Sequence, residues 1–186
     1  MDEAKFITLD NCLTILIYTD RSKSTNHMEL FTFYGGNYSS YIDYNGKKRN
    51  IKEGSAHLLE HYVCENTVSG DLLDNLRKYN VLSCNAGTSA FNTSYFFNTV
   101  CNFYECLDTF LDGIYNVSFT NEKLNKTKYA VLNEIRDSQN NEGRRIADIR
   151  DRTLFSNCMD NLGSEDSINS ITVNDLKDIY DSIYVP

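Results

Sequence analysis

Apolar positions early in the chain fall in short β-branched runs, and those in its second half recur at helical spacing. Residues 6–19 contain Cys12-Leu-Thr-Ile-Leu-Ile-Tyr18, a run typical of a strand. Met28-Glu-Leu-Phe-Thr-Phe-Tyr34 predicts a second strand, ended by Gly35-Gly36. Residues 37–52 are polar and rich in Tyr, Asn and Lys, and read as a loop or hairpin. A helix is expected to begin near Ser55, and another over Asp71–Tyr79 sets Leu72, Leu73 and Leu76 on one side. In Asn85–Val100 the second half is strongly strand-forming, while Gly87 and small polar residues leave the first half more open. Cys101–Asn116 reads as a helix using Leu107, Phe110, Leu111 and Ile114; Leu124–Ser138 reads as one using Leu124, Val131, Leu132 and Ile135. Arg144–Phe155 and Thr172–Tyr184 are also expected to be helical, the second opening with Thr172 and Asp175 at capping-box spacing. Strands followed by helices, without regular alternation or internal repeat, predict the α+β class.

A length of 186 residues suits one domain over 1–186 with a sizeable core. The net charge of −8 argues against a nucleic-acid partner and against anionic membranes, and makes a basic or neutral peptide a more comfortable ligand. No apolar run is long enough to span a bilayer, and Met1-Asp-Glu-Ala-Lys5 lacks the basic and apolar segments of a secretory signal. A cytoplasmic location is therefore expected. Cys12, Cys64, Cys84, Cys101, Cys106 and Cys158 form no C-x-x-C pair and read as small hydrophobes in a reducing compartment. A disulfide framework or a cysteine zinc site is the minor alternative.

One segment carries chemistry. Gly54-Ser-Ala-His57-Leu-Leu-Glu60-His61 holds an H-x-x-E-H pattern and two of the three histidines in the chain. On a helix His57 and His61 stand at i and i+4, so both imidazoles leave one face and can hold a single metal ion. Glu60 lies beside them, where its carboxylate could act as a general base towards a water at the metal. The plain alternative is a polar helix face with two solvated histidines. A catalytic zinc takes three protein ligands, and with His27 the only other histidine a carboxylate is the natural third. Glu134, in Tyr129-Ala-Val-Leu-Asn-Glu134-Ile-Arg, is the best candidate, although taken alone it reads as a solvated helix carboxylate.

Gly54–His61, followed by Glu134 in a V-L-x-E context, resembles the pitrilysin/insulinase family of inverted zinc peptidases. The resemblance implies Zn2+ held by His57, His61 and Glu134, with Glu60 as catalytic base. It also covers Asn85-Ala86, Thr88-Ser89 and Tyr95-Phe96-Phe97, which are similar to the family's active-site edge strand. Asn85, Ala86, Thr88 and Tyr95 are thereby expected to bind substrate, an extended peptide added as a strand. Read without the resemblance, Asn85 is a turn residue. The long element Met28–Asn50 ahead of the motif is most similar to short members from Firmicutes. The implied fold is a mostly antiparallel sheet packed against helices on one face, one half-unit of the pitrilysin-type architecture.

The chain departs from the family in two ways. Members often carry a second glutamate seven positions before the ligand glutamate; here Thr127 stands there, which predicts weaker support for the site. Members also have two homologous halves, and this chain resembles one, stopping at Tyr184-Val-Pro186 where the family continues into another strand. The expected protein is a zinc metalloendopeptidase subunit acting on a small peptide or precursor, such as a leader peptide. A homologous partner in a heterodimer, or a second copy in a homodimer, is expected to complete it. The rival is a non-catalytic peptide-binding or scaffold subunit; a structural zinc would need a fourth ligand that is not evident.

Overall fold

The computed structural model describes residues 3–154 and 160–185. Along the chain these form β1 (Glu3–Thr8), β2 (Thr14–Thr19), β3 (Asn26–Thr32), β4 (Ser40–Ile42) and β5 (Lys48–Asn50). Next come α1 (Ser55–Glu65), α2 (Leu72–Arg77), β6 (Ser83–Thr88), β7 (Thr93–Thr99) and α3 (Phe103–Tyr115). The chain continues through α4 (Asn121–Gln139), α5 (Glu142–Leu154), α6 (Glu165–Ser170) and α7 (Val173–Ile183). Every strand pair is antiparallel, as the α+β reading expects.

The strands form three small sheets, β1-β2, β4-β5 and β3-β7-β6. The first apolar run proves to be one arm of a hairpin, with Glu3 opposite Thr19 and Thr8 opposite Thr14. The polar stretch 37–52 contains the β4-β5 hairpin. Asn85–Val100 is also a hairpin, because its more open first half belongs to β6. Helix α6 was not evident from the pattern; Ser164 caps it by accepting from the Ser167 amide. The capping box of α7 forms as its spacing predicts. Of the expected helix Arg144–Phe155, Phe155 lies outside the described residues, as does Cys158.

β7 runs between β3 and β6, and its alternation sends Thr93, Tyr95, Phe97 and Thr99 fully inward. Phe97 meets Phe103 and Phe110 of α3 at ring separations of 5.8 and 5.4 Å. α1 is the hub, touching α2, α3, α4, α7, β6 and β7. Burial of Leu58, Leu59, Tyr62 and Val63 supplies several kcal/mol of apolar contact, at ~2 kcal/mol for each large side chain.

The start of α1 depends on a glycine. Gly54 has φ +80, and a Cβ there would meet the Leu162 carbonyl oxygen at 2.5 Å and Ile168 Cδ1 at 2.7 Å. Left-handed backbone and a blocked position act together, so Gly54→Ala is expected to destabilise by about 2–4 kcal/mol. Urea unfolding checks this; an unchanged midpoint would show that the crossing can open without loss.

Candidate metal centre

Nine of the eleven residues of α1 are buried: Ser55, Ala56, His57, Leu58, Leu59, Glu60, Tyr62, Val63 and Cys64. Only His61 and Glu65 are half-open, so the helix exposes a narrow stripe one side chain wide. Across that stripe runs α4, which buries Leu124, Thr127, Lys128, Val131 and Ile135. Thr127 and Glu134 are seven residues apart on it, about two turns, so both stand near the α1-facing side. Lys128 Nζ donates to the Asn169 carbonyl at 2.8 Å, and Arg136 grips Glu165 through two hydrogen bonds, fixing α4 against α6.

This packing brings His57, His61 and Glu134 together, with one ligand atom of each lying within 4.8 Å of the others. His57 Nε2 and His61 Nε2 stand 3.4 and 3.5 Å from the same oxygen, Glu134 Oε2. The two rings are nearly perpendicular, with centroids 4.7 Å apart. Ligand atoms about 2.0–2.1 Å from a tetrahedral zinc are separated by roughly 3.3 Å. The two nitrogen–oxygen separations match that edge length, and two imidazoles with one carboxylate are an ordinary zinc donor set. Among the described residues, none hydrogen-bonds the buried His57 Nδ1. The residues fit the ion.

The electrostatics describe a site arranged to hold positive charge. Burial, with the neighbouring His61 charge, pushes His57 down to about 4. Burial also opposes charge on His61, but its contacts with Glu134 and Glu65 outweigh that and carry it up to about 10. Contact with His61 holds Glu134 below the usual carboxylate range against its own partial burial. Without a metal, these surroundings disfavour a proton on His57 and favour one on His61.

Glu60 is buried on the inner flank of the stripe, and its Oε2 accepts a hydrogen bond from Thr88 Oγ1 at 3.1 Å. Burial raises its pKa, a trend the His61 charge and the Thr88 hydroxyl oppose. Thr88 in turn lies 3.3 Å from Thr93 Oγ1, which donates to the Tyr34 carbonyl. The threonine expected on the substrate side thus points its hydroxyl at Glu60.

Of the other residues expected to bind substrate, Asn85 is exposed and Ala86 half-buried on β6, an edge strand of its sheet. Tyr95 is different. It is fully buried, with its hydroxyl 2.8 Å from that of Tyr184, so it belongs to the core and is out of reach of a bound peptide. Sequence reading missed Glu65, whose Oε1 is 3.8 Å from His61 Nδ1, although the i+4 step beyond His61 signals it. It also missed Arg144 of α5, whose charge acts on both His57 and Glu134. No helix among the described residues is long and apolar enough to cross a membrane.

Residues 47–164, which include the whole constellation, match the model of the insulinase family, peptidase family M16. The chain is 26% identical over 183 residues to the uncharacterized zinc protease YmfH of Bacillus subtilis, covering 96% of this chain and 42% of that protein. Its fold is similar to that of a putative M16-like peptidase from Alicyclobacillus acidocaldarius, with TM-score 0.87 and 22% identity. That match covers 100% of this chain and 44% of the other. It is also similar to a peptidase M16 inactive domain from Pseudomonas fluorescens, with TM-score 0.74 and 14% identity over 94% of this chain and 42% of that one. The chain spans less than half the length of these relatives.

Proposed function

Because the chain belongs to the insulinase family, peptidase family M16, we propose that it is the zinc-bearing unit of a metallopeptidase. The observation that carries this reading is the convergence of His57, His61 and Glu134 beside the buried carboxylate of Glu60. A fold shared with an inactive domain says nothing of chemistry, so the reading rests on these four side chains. Bound zinc would polarise both the attacking water and the scissile carbonyl.

The chain's own residues do the rest. His57 and His61 offer their Nε2 atoms and Glu134 its Oε2 as ligands. Thr88 donates to Glu60 Oε2 and so leaves Oε1 to receive the proton of the attacking water. The same carboxyl then delivers it to the departing amine nitrogen. Glu60 is held in a buried pocket, where a proton is retained more readily than in solution. The substrate is an extended peptide added to the open edge of β6, with Asn85 and Ala86 along its path and main-chain hydrogen bonds supplying most of the affinity.

A single zinc-bearing domain over 1–186 leaves the far wall of such a site to a second, homologous unit. That unit is another copy, a related chain or a further part of the same protein, and a compact two-unit chamber suits a small precursor or leader peptide. Among the described residues Cys12, Cys64, Cys84, Cys101 and Cys106 are unpaired, and the setting we infer is a cytoplasmic one.

Light scattering on fractions of the protein purified with its companions, each assayed with a fluorogenic peptide, tests the assembly. Activity is expected only in species larger than the monomer. A monomer that cleaves efficiently refutes the need for a second unit, and zinc-loaded assemblies that cleave no peptide refute the peptidase reading.

A further inference from the structure

The stripe on α1 does not end at His61. One turn further on, Glu65 directs Oε1 towards His61 Nδ1 at 3.8 Å, on the side of the ring away from Glu134. The distance is too long for a hydrogen bond, so the attraction is electrostatic. The other oxygen is fixed: Thr127 Oγ1 donates to Glu65 Oε2 at 2.8 Å. The carboxylate can only accept, so Thr127 is the donor, and its oxygen in turn accepts from Asn66 Nδ2 at 3.1 Å. The amide orientation of Asn66 is forced too, because the same Nδ2 donates to the Tyr62 carbonyl, which can only accept. Thr127 is wholly buried and Asn66 nearly so. A buried relay thus runs from the α1 backbone through α4 and back to the last side chain of α1, where it sets one carboxylate.

We propose that Glu65, anchored by Thr127, is a positioning residue that keeps the His61 proton on Nδ1 and leaves Nε2 free for the metal. The inference rests on the metal-centre reading above. His61 is the more exposed of the two histidines, so its ring has the greater freedom to turn or to adopt the wrong tautomer. A carboxylate on the Nδ1 side removes that freedom, because it favours the proton on Nδ1 and leaves the Nε2 lone pair facing Glu134. Glu65 and Thr127 bear on the metal through His61 alone. The hydroxyl of Thr127, at a position expected to weaken the site, instead supports it from the opposite side of the ring.

Zinc affinity by chelator competition separates this role from a plain tie between α1 and α4. Glu65→Ala is expected to weaken zinc about 10- to 100-fold, a loss well beyond what any fall in the melting temperature of the metal-free protein accounts for. Thr127→Val should weaken it less, Thr127→Ser should restore it, and Glu65→Gln, which keeps an acceptor, should fall between. Long-range nitrogen NMR of the zinc form should find His61 protonated on Nδ1 in the wild type and disordered between states in Glu65→Ala. The proposal is overturned if both Glu65→Ala and Thr127→Val bind zinc within about twofold of wild type. It is equally overturned if their weaker binding is matched by lost stability without metal. A wild-type protein that takes up no zinc removes the metal-centre reading itself, a result distinct from either.

Discussion

Glu60→Gln is expected to lower peptide cleavage roughly a hundred- to ten-thousandfold, the range for a lost general base, while zinc stays bound. The amide keeps the size of the side chain, and its oxygen can still accept from Thr88 Oγ1, now bonded to Glu60 Oε2. None of the three ligand side chains is altered. What disappears is the capacity to take a proton from water and return it to the amine. Stability should move the other way. Burial raises the Glu60 pKa, so above the ordinary carboxylate range the folded protein carries a charge it would rather neutralise. That penalty grows as pH climbs through the raised folded value and is complete beyond it. Glu60→Gln removes the penalty, so the metal-free variant should be at least as stable as wild type at neutral pH, with the difference fading in acid. Cleavage assays beside metal analysis and thermal melts decide it. A variant that cleaves normally while holding zinc would remove Glu60 from the mechanism.

Much of this site is legible because a helix imposes its period. His57, Glu60 and His61 are close in sequence, and a 3.6-residue repeat fixes their relation before any tertiary contact forms. Glu134 is harder. Its helix is visible in Leu124, Val131 and Ile135, but which of its carboxylates meets α1 depends on how the two helices pack, and no local pattern carries that. Glu65 was within reach, since the step from His57 to His61 repeats once more, but a glutamate at a helix end also reads as an ordinary solvated charge. Thr127 gave no signal of its own: its role exists only because Asn66 and Glu65 converge on it.

Tyr95 shows the opposite error. The strand alternation that buries Thr93, Phe97 and Thr99 places Tyr95 on the same inward side. Period two, applied to this chain alone, assigns it to the core. The hairpin at the start of the chain was missed for a different reason. Its turn places Cys12 at φ +71, a conformation usually taken by Gly, Asn or Asp, so the expected turn residue is absent from that position.

Zinc should bind with the loss of a proton, and the charge states of the metal-free site say which one. His57 is already neutral near pH 7, since burial and its neighbour hold it at about 4. Glu134 is already ionised. His61, carried up to about 10, is the one ligand that must give up a proton to zinc. Between about pH 5 and 7, affinity should therefore rise about tenfold per pH unit, one proton leaving the ligands for each ion bound. Below the His57 value a second proton competes and the dependence steepens. Zinc at about a thousand times its dissociation constant adds ~4 kcal/mol to a fold of this size, raising the melting temperature by roughly 8–16 °C. His57→Ala and Glu134→Gln should each abolish most of that rise, because two remaining ligands hold the ion poorly. Calorimetry in buffers of different ionisation enthalpy counts the proton directly. An affinity flat across this pH window would contradict the charge assignment, and Glu134→Gln with wild-type affinity would take Glu134 out of the ligand set.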